Sequence, residues 1–396
     1  MKLHKPLVEA VVTCLKQIML DNKYSDKVLE KTFKSNPQFG SRDRKFIAES
    51  VYDIVRHYRR LAFIAESEKN FRMILAVYLF EKGIPFPEWP DFQTISTRPF
   101  EIRKKEINSA AILNSYPDEL WQIGEEELGQ EKWLKEARAL NEPAGVILRV
   151  NTLKIKKSDL LKKLKEAEIE VDELNVFESA LQLRKRQNIF NTDLFKEGFF
   201  EVQDAGSQLI APFLKAEAGQ KVIDACAGGG GKALHLSALM QNKGKIIAMD
   251  VEEWKLENLR KRAKRAGASN IEARLIEGDK TIEQLRNSAD RLLLDVPCSG
   301  SGVIKRNPDT KWKTDKNVIE KTKALQYSIL KNYSIMVKAG GYLVYSTCSV
   351  FPSENEKQVQ RFIEEQNGAF ELKNDKTLFP SEGFDGFYMA LLKRNI

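Results

Sequence analysis

The sequence predicts an α/β fold built on a mostly parallel sheet, preceded by a small α+β module and an all-α segment. Three observations carry that expectation. From about residue 205 onward, short apolar runs (Lys221 to Cys226, Lys245 to Asp250, Ala273 to Glu277, Arg291 to Val296, Gly341 to Thr347) alternate with amphipathic helical stretches, as in parallel sheets covered on both faces. Between about 141 and 204 the texture is mixed. Before that, only helical spacing is present.

Taken in order, Leu7, Val8, Val11, Cys14, Leu15 and Ile18 line one face of a first helix. Ile47, Val51, Ile54, Tyr58 and Leu61 repeat at spacings of four and three in another. Arg42, Arg44, Lys45, Arg56, Arg59 and Arg60 lie off that stripe, which suits either phosphate contacts or an ordinary solvated face. Further helical stretches with Trp121 and Trp133 end at the turn signal Asn141-Glu142-Pro143. Strands follow at Val146 to Val150, Ala180 to Arg184 and Gly198 to Val202, with a basic helix over Ser158 to Ala167. Three regions result: 1–140 helical, 141–204 small α+β, and 205–396 α/β.

At 396 residues the chain suffices for two or three cores, and 42% hydrophobic with 30% charged residues marks a globular protein. No apolar run is long enough for a bilayer, and Met1-Lys2-Leu3-His4-Lys5 lacks the apolar core of a secretion signal, so a cytoplasmic protein with no membrane partner is expected. The four cysteines (Cys14, Cys226, Cys298, Cys348) form no CxxC pair and the three histidines are scattered, which disfavours disulfides and zinc; no metal is expected. A formal charge of +8 favours a polyanionic partner. Many basic proteins bind no nucleic acid.

The first strand of the C-terminal region runs into Cys226-Ala227-Gly228-Gly229-Gly230-Gly231-Lys232 and then a helix near Ala233. Glycines at a strand-to-helix turn allow close backbone approach to a ligand and expose amides. A P-loop is excluded, since Cys226 stands where its first glycine belongs and Ala233 where Ser or Thr would hold magnesium. A dinucleotide fingerprint fits loosely, with Asp250 about 20 residues on where a ribose-binding acid belongs. Nicotinamide and adenosylmethionine folds both use such an acid, and the loop alone does not choose between them. Asp279, after the third strand, falls where an adenine ring would lie.

The fourth strand ends Asp295-Val296-Pro297-Cys298-Ser299-Gly300-Ser301-Gly302 and the fifth Ser346-Thr347-Cys348-Ser349. Neighbouring strand ends would set both cysteines on the rim of the glycine loop. A lone buried cysteine is usually packing, the reading that suits Cys14. Two in Gly/Ser-rich strand-end loops suit thiol chemistry beside a cofactor. Methylation of a pyrimidine carbon needs this: carbon 5 of cytosine attacks a sulfonium methyl only after a thiolate has added to carbon 6. Lys232 is a candidate for the cation that lowers the thiol pKa, and Asp295 a candidate to hold the amino and ring-nitrogen edge of the base. The base must be unstacked to enter.

These residues resemble the RsmB/Sun-type (RsmB/NOP family) RNA (cytosine-5) methyltransferases. The resemblance rests on Asp224-Ala225-Cys226-Ala227 with Gly230-Gly231-Lys232, on Asp295 to Gly302 with Val303-Ile304, on Asn307-Pro308-Asp309 with Lys311-Trp312, and on Ser346 to Ser349 followed by Pro352-Ser353-Glu354-Asn355-Glu356. Val202 to Gln208 fits the family's lead-in and Phe384 to Tyr388 its closing hairpin. The resemblance implies a Rossmann-like class I methyltransferase domain, S-adenosylmethionine as cofactor, Cys348 as nucleophile, and Cys298 as the group that assists release. It also implies that Cys226 to Lys232, Asp250, Asp279 and Asp295 surround the cofactor. Tyr116-Pro117-Asp118, Leu148-Arg149-Val150-Asn151-Thr152 and Arg42-Asp43-Arg44 with Arg56-His57 look like the linker, small subdomain and NusB-like RNA-binding domain of the ribosomal RNA branch. That branch methylates small-subunit ribosomal RNA to 5-methylcytosine; the expected partner is RNA and the expected state a monomer. One departure is Gly228-Gly229 where the family usually has Ala-Pro, which implies a more flexible loop and weaker cofactor binding. Ser301 is also a less usual choice.

Two other readings stand beside this one. A NusB-like RNA-binding scaffold with an impaired catalytic half would be consistent with the altered loop, but retains Cys298, Cys348 and Asp295 without need. A nicotinamide oxidoreductase leaves both cysteines and the basic regions without a role.

Overall fold

The computed structural model describes residues 3–174 and 178–395. It divides into two compact units, Met1–Glu142 with Ile304–Val318, and Pro143–Val303 with Ile319–Ile396.

The first unit is helical. Helix Lys5–Met19 starts with Pro6 in its first turn, where a missing N–H costs nothing, and buries the expected stripe Leu7, Val8, Val11, Cys14, Leu15 and Ile18. The stripe expected in a single second helix is instead shared by two, Ser41–Arg56 and Tyr58–Ala65, with His57 at φ −110°, ψ 21° between them. The physical reason lies far along the chain. Trp312 Nε1 donates to the carbonyl of Val55 (2.8 Å) and Lys311 Nζ to that of Arg56 (3.0 Å), so side chains satisfy the carbonyls that a continuous helix would have used. Lys311 is fully buried, also donates to the Ser115 carbonyl (3.1 Å) and Asn141 Oδ1 (2.5 Å), and lies 3.9 Å from the Tyr116 ring centre. The stretch 205–396, one domain in the sequence reading, thus contributes Ile304–Val318 to the helical unit.

Three of the cations off the helical stripe are engaged by protein acceptors, one of them buried and two half-buried. Arg56 is buried against Asp53 (3.0 Å) and the Lys305 carbonyl (2.9 Å). Arg59 bonds the Tyr116 carbonyl (2.5 Å) and Asp118 (2.7 Å), and Arg60 grips Glu81 through two contacts of 2.7 Å. Arg42 and Lys45 are exposed.

The second unit holds two sheets. Strands β1 (Ile147–Val150), β2 (Val171–Glu173), β3 (Ala180–Leu183) and β4 (Phe200–Val202) form an antiparallel sheet in the order β2-β3-β1-β4. Helix Lys157–Glu166 packs Leu160 and Leu164 on Leu148, Val150, Leu181 and Phe200. Strand β2 escaped the sequence reading because its three residues are exposed or half-buried and carry no apolar alternation.

The larger sheet contains β5 (Lys221–Asp224), β6 (Lys245–Asp250), β7 (Ile271–Leu275), β8 (Ala289–Asp295), β9 (Val337–Thr347), β10 (Phe370–Leu378) and β11 (Phe387–Arg394) in the order β10-β11-β9-β8-β5-β6-β7. Strands β5 to β9 pair in parallel, while β11 runs antiparallel between β9 and β10. Alternate residues feed opposite cores: Ile223, Ile247, Leu292 and Leu343 on one face, Val222, Ile246, Leu293 and Val344 on the other. Edge strand β10 carries Glu371, Lys373, Asp375 and Lys376 outward, a charge pattern that discourages pairing with another edge. The strand order reverses between β5 and β8, which makes their carboxyl ends the switch point where such sheets bind ligands.

Candidate active site

Strand β5 delivers the glycine turn to the switch point. Gly228 (φ +52°) and Gly230 (φ +83°) take left-handed backbone that Cβ-bearing residues resist. A Cβ on Gly230 would lie 2.6 Å from Leu259 Cγ, whereas one on Gly228 would meet nothing within 4 Å. The loop therefore packs on one side and is open on the other, as a backbone that receives a ligand must be.

Asp250 at the end of β6 accepts from the amides of Gly228 and Glu252, each at 3.0 Å, so its first job is to hold the turn. A carboxylate has further lone-pair sites, which leaves it able to take a ribose hydroxyl as well. Two arginines hold the loop from behind: Arg262 donates to the Gly229 carbonyl (2.7 Å) and Arg149 of β1 to that of Gly231 (2.6 Å). Arg149 also binds Gln203, and burial brings its guanidinium down to about 9. Two of the carbonyls in the loop that carries Gly228-Gly229 are thus held by side chains.

Asp295 ends β8 in register with Ser346 of β9, so their side chains share a face. Ser346 Oγ donates to Asp295 Oδ1 (2.9 Å) and Lys232 Nζ to Oδ2 (2.5 Å). Burial opposes the charge on Lys232, but Asp295, Asp224 and Cys348 outweigh it and raise the amine above its usual value. Asp224 is buried beneath them; burial, with the charge of Asp295 added, raises its carboxyl to about 7. Cys226 is pushed well up by burial and by Asp224, Asp295 and Asp250, which keeps it a thiol.

Beyond Asp295 and Ser346 the two strands turn into the cysteine loops. Cys298 Sγ lies 3.0 Å from Cys348 Sγ and 3.3 Å from the Cys348 amide, which donates to it. The hydrogen bond with Cys348, burial, and the charges of Cys348 and Glu354 all push the Cys298 thiol well up. Gly302 allows this closeness: its amide donates to the Cys348 carbonyl (2.9 Å), and a Cβ there would fall 2.8 Å from that oxygen. Ser301, unusual by family pattern, bonds Ser349 Oγ (2.9 Å) and the Val350 amide (3.0 Å), so it ties the two loops together.

Most residues singled out from the sequence therefore converge on one rim: Cys226 to Lys232, Asp250, Asp295, Cys298 and Cys348. Asp279 is exposed at the first turn of helix Asp279–Glu283, and burial, with the charges of Cys226, Asp279 and Asp250 added, raises the Tyr333 hydroxyl above its usual value. Sequence reasoning gave no role to Tyr333, Arg149, Arg262 or Glu354. Glu354 lay within a quoted motif, and only its burial marks it as more than part of a pattern. Among the described residues no group of His, Cys, Asp and Glu is arranged to hold a metal ion, and no helix is long and apolar enough to cross a membrane.

Comparisons with known proteins narrow the class. The description "16S rRNA methyltransferase RsmB/F" matches residues 211–393, and an RsmF/B-like ferredoxin-like domain matches 116–190. A crystal structure titled PH0851 superposes with a TM-score of 0.83 over 100% of both chains at 25% identity. A methyltransferase homologue from Pyrococcus horikoshii gives 0.64 over 72% of this chain and 97% of its own at 28% identity. The fold is that of a Rossmann-like class I methyltransferase that uses S-adenosylmethionine, and the open glycine turn and strand-end carboxylates suit that cofactor.

Relatives in sequence are more specific. The probable ribosomal RNA small subunit methyltransferase B of Synechocystis is 28% identical over 96% of this chain and 97% of its own. That of Coxiella burnetii is 31% identical over 75% and 74%, and the Vibrio cholerae methyltransferase B is 34% identical over 67% and 62%. The chain belongs to the 16S rRNA methyltransferase RsmB/F family. It is an S-adenosylmethionine-dependent RNA methyltransferase.

Proposed function

We propose that the protein methylates carbon 5 of a cytosine in small-subunit ribosomal RNA, acting as a monomer in the cytoplasm, through a covalent bond between Cys348 and the base. The observation that carries this reading is the pair of sulfurs 3.0 Å apart beside the Lys232–Asp295 contact. Two thiols are what the addition and release halves of such a reaction need.

The cofactor, when bound, supplies an electrophilic methyl group. The residues assigned to hold it are Cys226 to Lys232, with Asp250 for the ribose, Asp279 for the adenine and Asp295 at the methyl end. Asp295 also takes the amino and ring-nitrogen edge of the flipped base. Lys232 stabilises Cys348 as thiolate, and the sulfur bonds carbon 6, which makes carbon 5 nucleophilic. Once carbon 5 carries the methyl group, its proton passes to water, the electron pair of that bond re-forms the carbon 5–carbon 6 double bond, and the carbon–sulfur bond breaks to return Cys348 as thiolate. Cys298, whose thiol is kept protonated by its surroundings, assists that release.

The two roles separate in one experiment. Cys348→Ala abolishes transfer of radiolabelled methyl to ribosomal RNA, and Cys298→Ala leaves an RNA–protein adduct that survives a denaturing gel. An adduct trapped by Cys348→Ala instead would reverse the assignment.

A further inference from the structure

Glu354 is fully buried in the short turn Pro352–Glu354, one residue before Asn355. Its Oε1 accepts from the Ser299 amide (2.8 Å) and from Gln326 Nε2 (3.0 Å). Its Oε2 accepts from Ser299 Oγ and Ser349 Oγ, both at 2.5 Å. Four donors thus converge on one carboxylate, and among the described residues no Lys or Arg pairs with it. An ionised carboxylate this deep is retained only where strong hydrogen bonds compensate its desolvation. Gln326 also donates to the Pro297 carbonyl (2.9 Å), which places it behind the same loop.

The identity of the donors gives the arrangement its meaning. Ser299 follows Cys298 directly, and Ser349 follows Cys348 directly. One side chain therefore grips the residue after each sulfur, from a third segment of chain. The turn that carries it is fixed in its own right: Tyr345 donates to the Glu354 carbonyl (2.7 Å), and Asn355 Nδ2 to the Ser349 carbonyl (3.0 Å). We infer that Glu354 is a positioning residue whose carboxylate sets the spacing of the Cys298 and Cys348 sulfurs for methyl transfer. Its charge bears on the same pair, since it is among the influences that push the Cys298 thiol up. The inference rests on the cytosine-5 reading for its chemistry, but the spacing itself is measurable without RNA.

The test uses the full chain and two readouts. Diamide removes two electrons and two protons from a pair of nearby thiols, giving a disulfide and the reduced hydrazide, at a rate that follows how often the sulfurs meet. Peptide mapping of the Cys298–Cys348 link gives that rate directly. Methyl transfer to ribosomal RNA gives kcat and KM. In Glu354→Gln, one oxygen becomes a donor facing donors, and the disulfide should close at least about 10-fold more slowly. Its kcat should fall about 100-fold, the scale expected when reacting groups are displaced by about 1 Å. KM for RNA and the Kd for S-adenosylmethionine should stay within about twofold and the binding stoichiometry should stay at the native value, whereas a general loss of folded protein would lower the stoichiometry and kcat together. Should Glu354→Gln fail to fold, Ser349→Ala keeps the carboxylate and removes its tether to the Cys348 loop together with the Ser349 Oγ contacts to Ser301, Ser299 and the Phe351 amide, and should slow both reactions in the same order. Folded variants that close the disulfide at the native rate overturn the inference. If the disulfide slows in the variants while the native protein methylates no cytosine, the positional role stands and the cytosine-5 reading falls.

Discussion

Gly230→Ala and Gly228→Ala are single-methyl changes two residues apart in one loop, and the structure gives them different costs. Both place a Cβ on left-handed backbone, at about 1–2 kcal/mol each. Only at Gly230 does the new carbon also collide, 2.6 Å from Leu259 Cγ in the packed core, which adds about 1–3 kcal/mol of overpacking. Gly230→Ala should thus cost about 2–5 kcal/mol and Gly228→Ala about 1–2. Strain kept in the loop shows as lost stability; strain relieved by moving the loop shows as lost cofactor affinity, at a factor of ten for about 1.4 kcal/mol. The sum is the quantity to measure, by urea denaturation of the cofactor-free protein and calorimetric titration with S-adenosylmethionine. Equal sums for the two variants would refute the argument that Leu259 closes the inner side of the turn.

Other outcomes follow from buried charge. Arg262→Ala frees the Gly229 carbonyl and should weaken S-adenosylmethionine binding about 10-fold while leaving KM for RNA unchanged, as titration would show. Lys311→Met keeps the stem but strands three acceptors, and should destabilise the helical unit by about 2–4 kcal/mol in denaturant. Asp224 supplies a pH test. Its folded value of about 7 lies above the ordinary 3.9, so the folded state binds the extra proton between those values, and stability falls as pH rises from about 4 to 7. Asp224→Asn should remove that slope and gain up to about 4 kcal/mol at pH 8, with little change at pH 4; equal gains at both would dismiss burial as the cause.

The sequence makes the parallel sheet legible because its central strands β5, β6 and β8 and the end of β9 are buried on both faces and read as apolar runs. The rim residues are legible for a related reason: they follow those runs at once, where the fold leaves ligands no other place. Strand β2 and charged β10 were not readable as strands, since their pairing depends on neighbours and not on their own apolar content. Glu354, Arg149 and Arg262 carry no local signal of function. Each acts on a loop distant in sequence, and a charge alone does not tell whether it faces water or a buried carbonyl. Arg56, Arg59 and Arg60 teach the same point in reverse, since cations that suggested a phosphate-facing surface are engaged inside the helical unit.

The return of Ile304–Val318 to the helical unit bears on the order in which the protein is completed during synthesis. Domains emerging from the ribosome generally fold as units, N-terminal first, at about 5–20 residues per second. Here the helices up to Glu142 must wait for a segment some 160 residues later, or roughly 8–30 s. Until Lys311 and Trp312 arrive, the carbonyls of Val55, Arg56 and Ser115 lack these side-chain donors. A fragment ending at Glu142 is therefore an unfinished structure, and the helical unit is completed only after β8, with its Asp295, has been made.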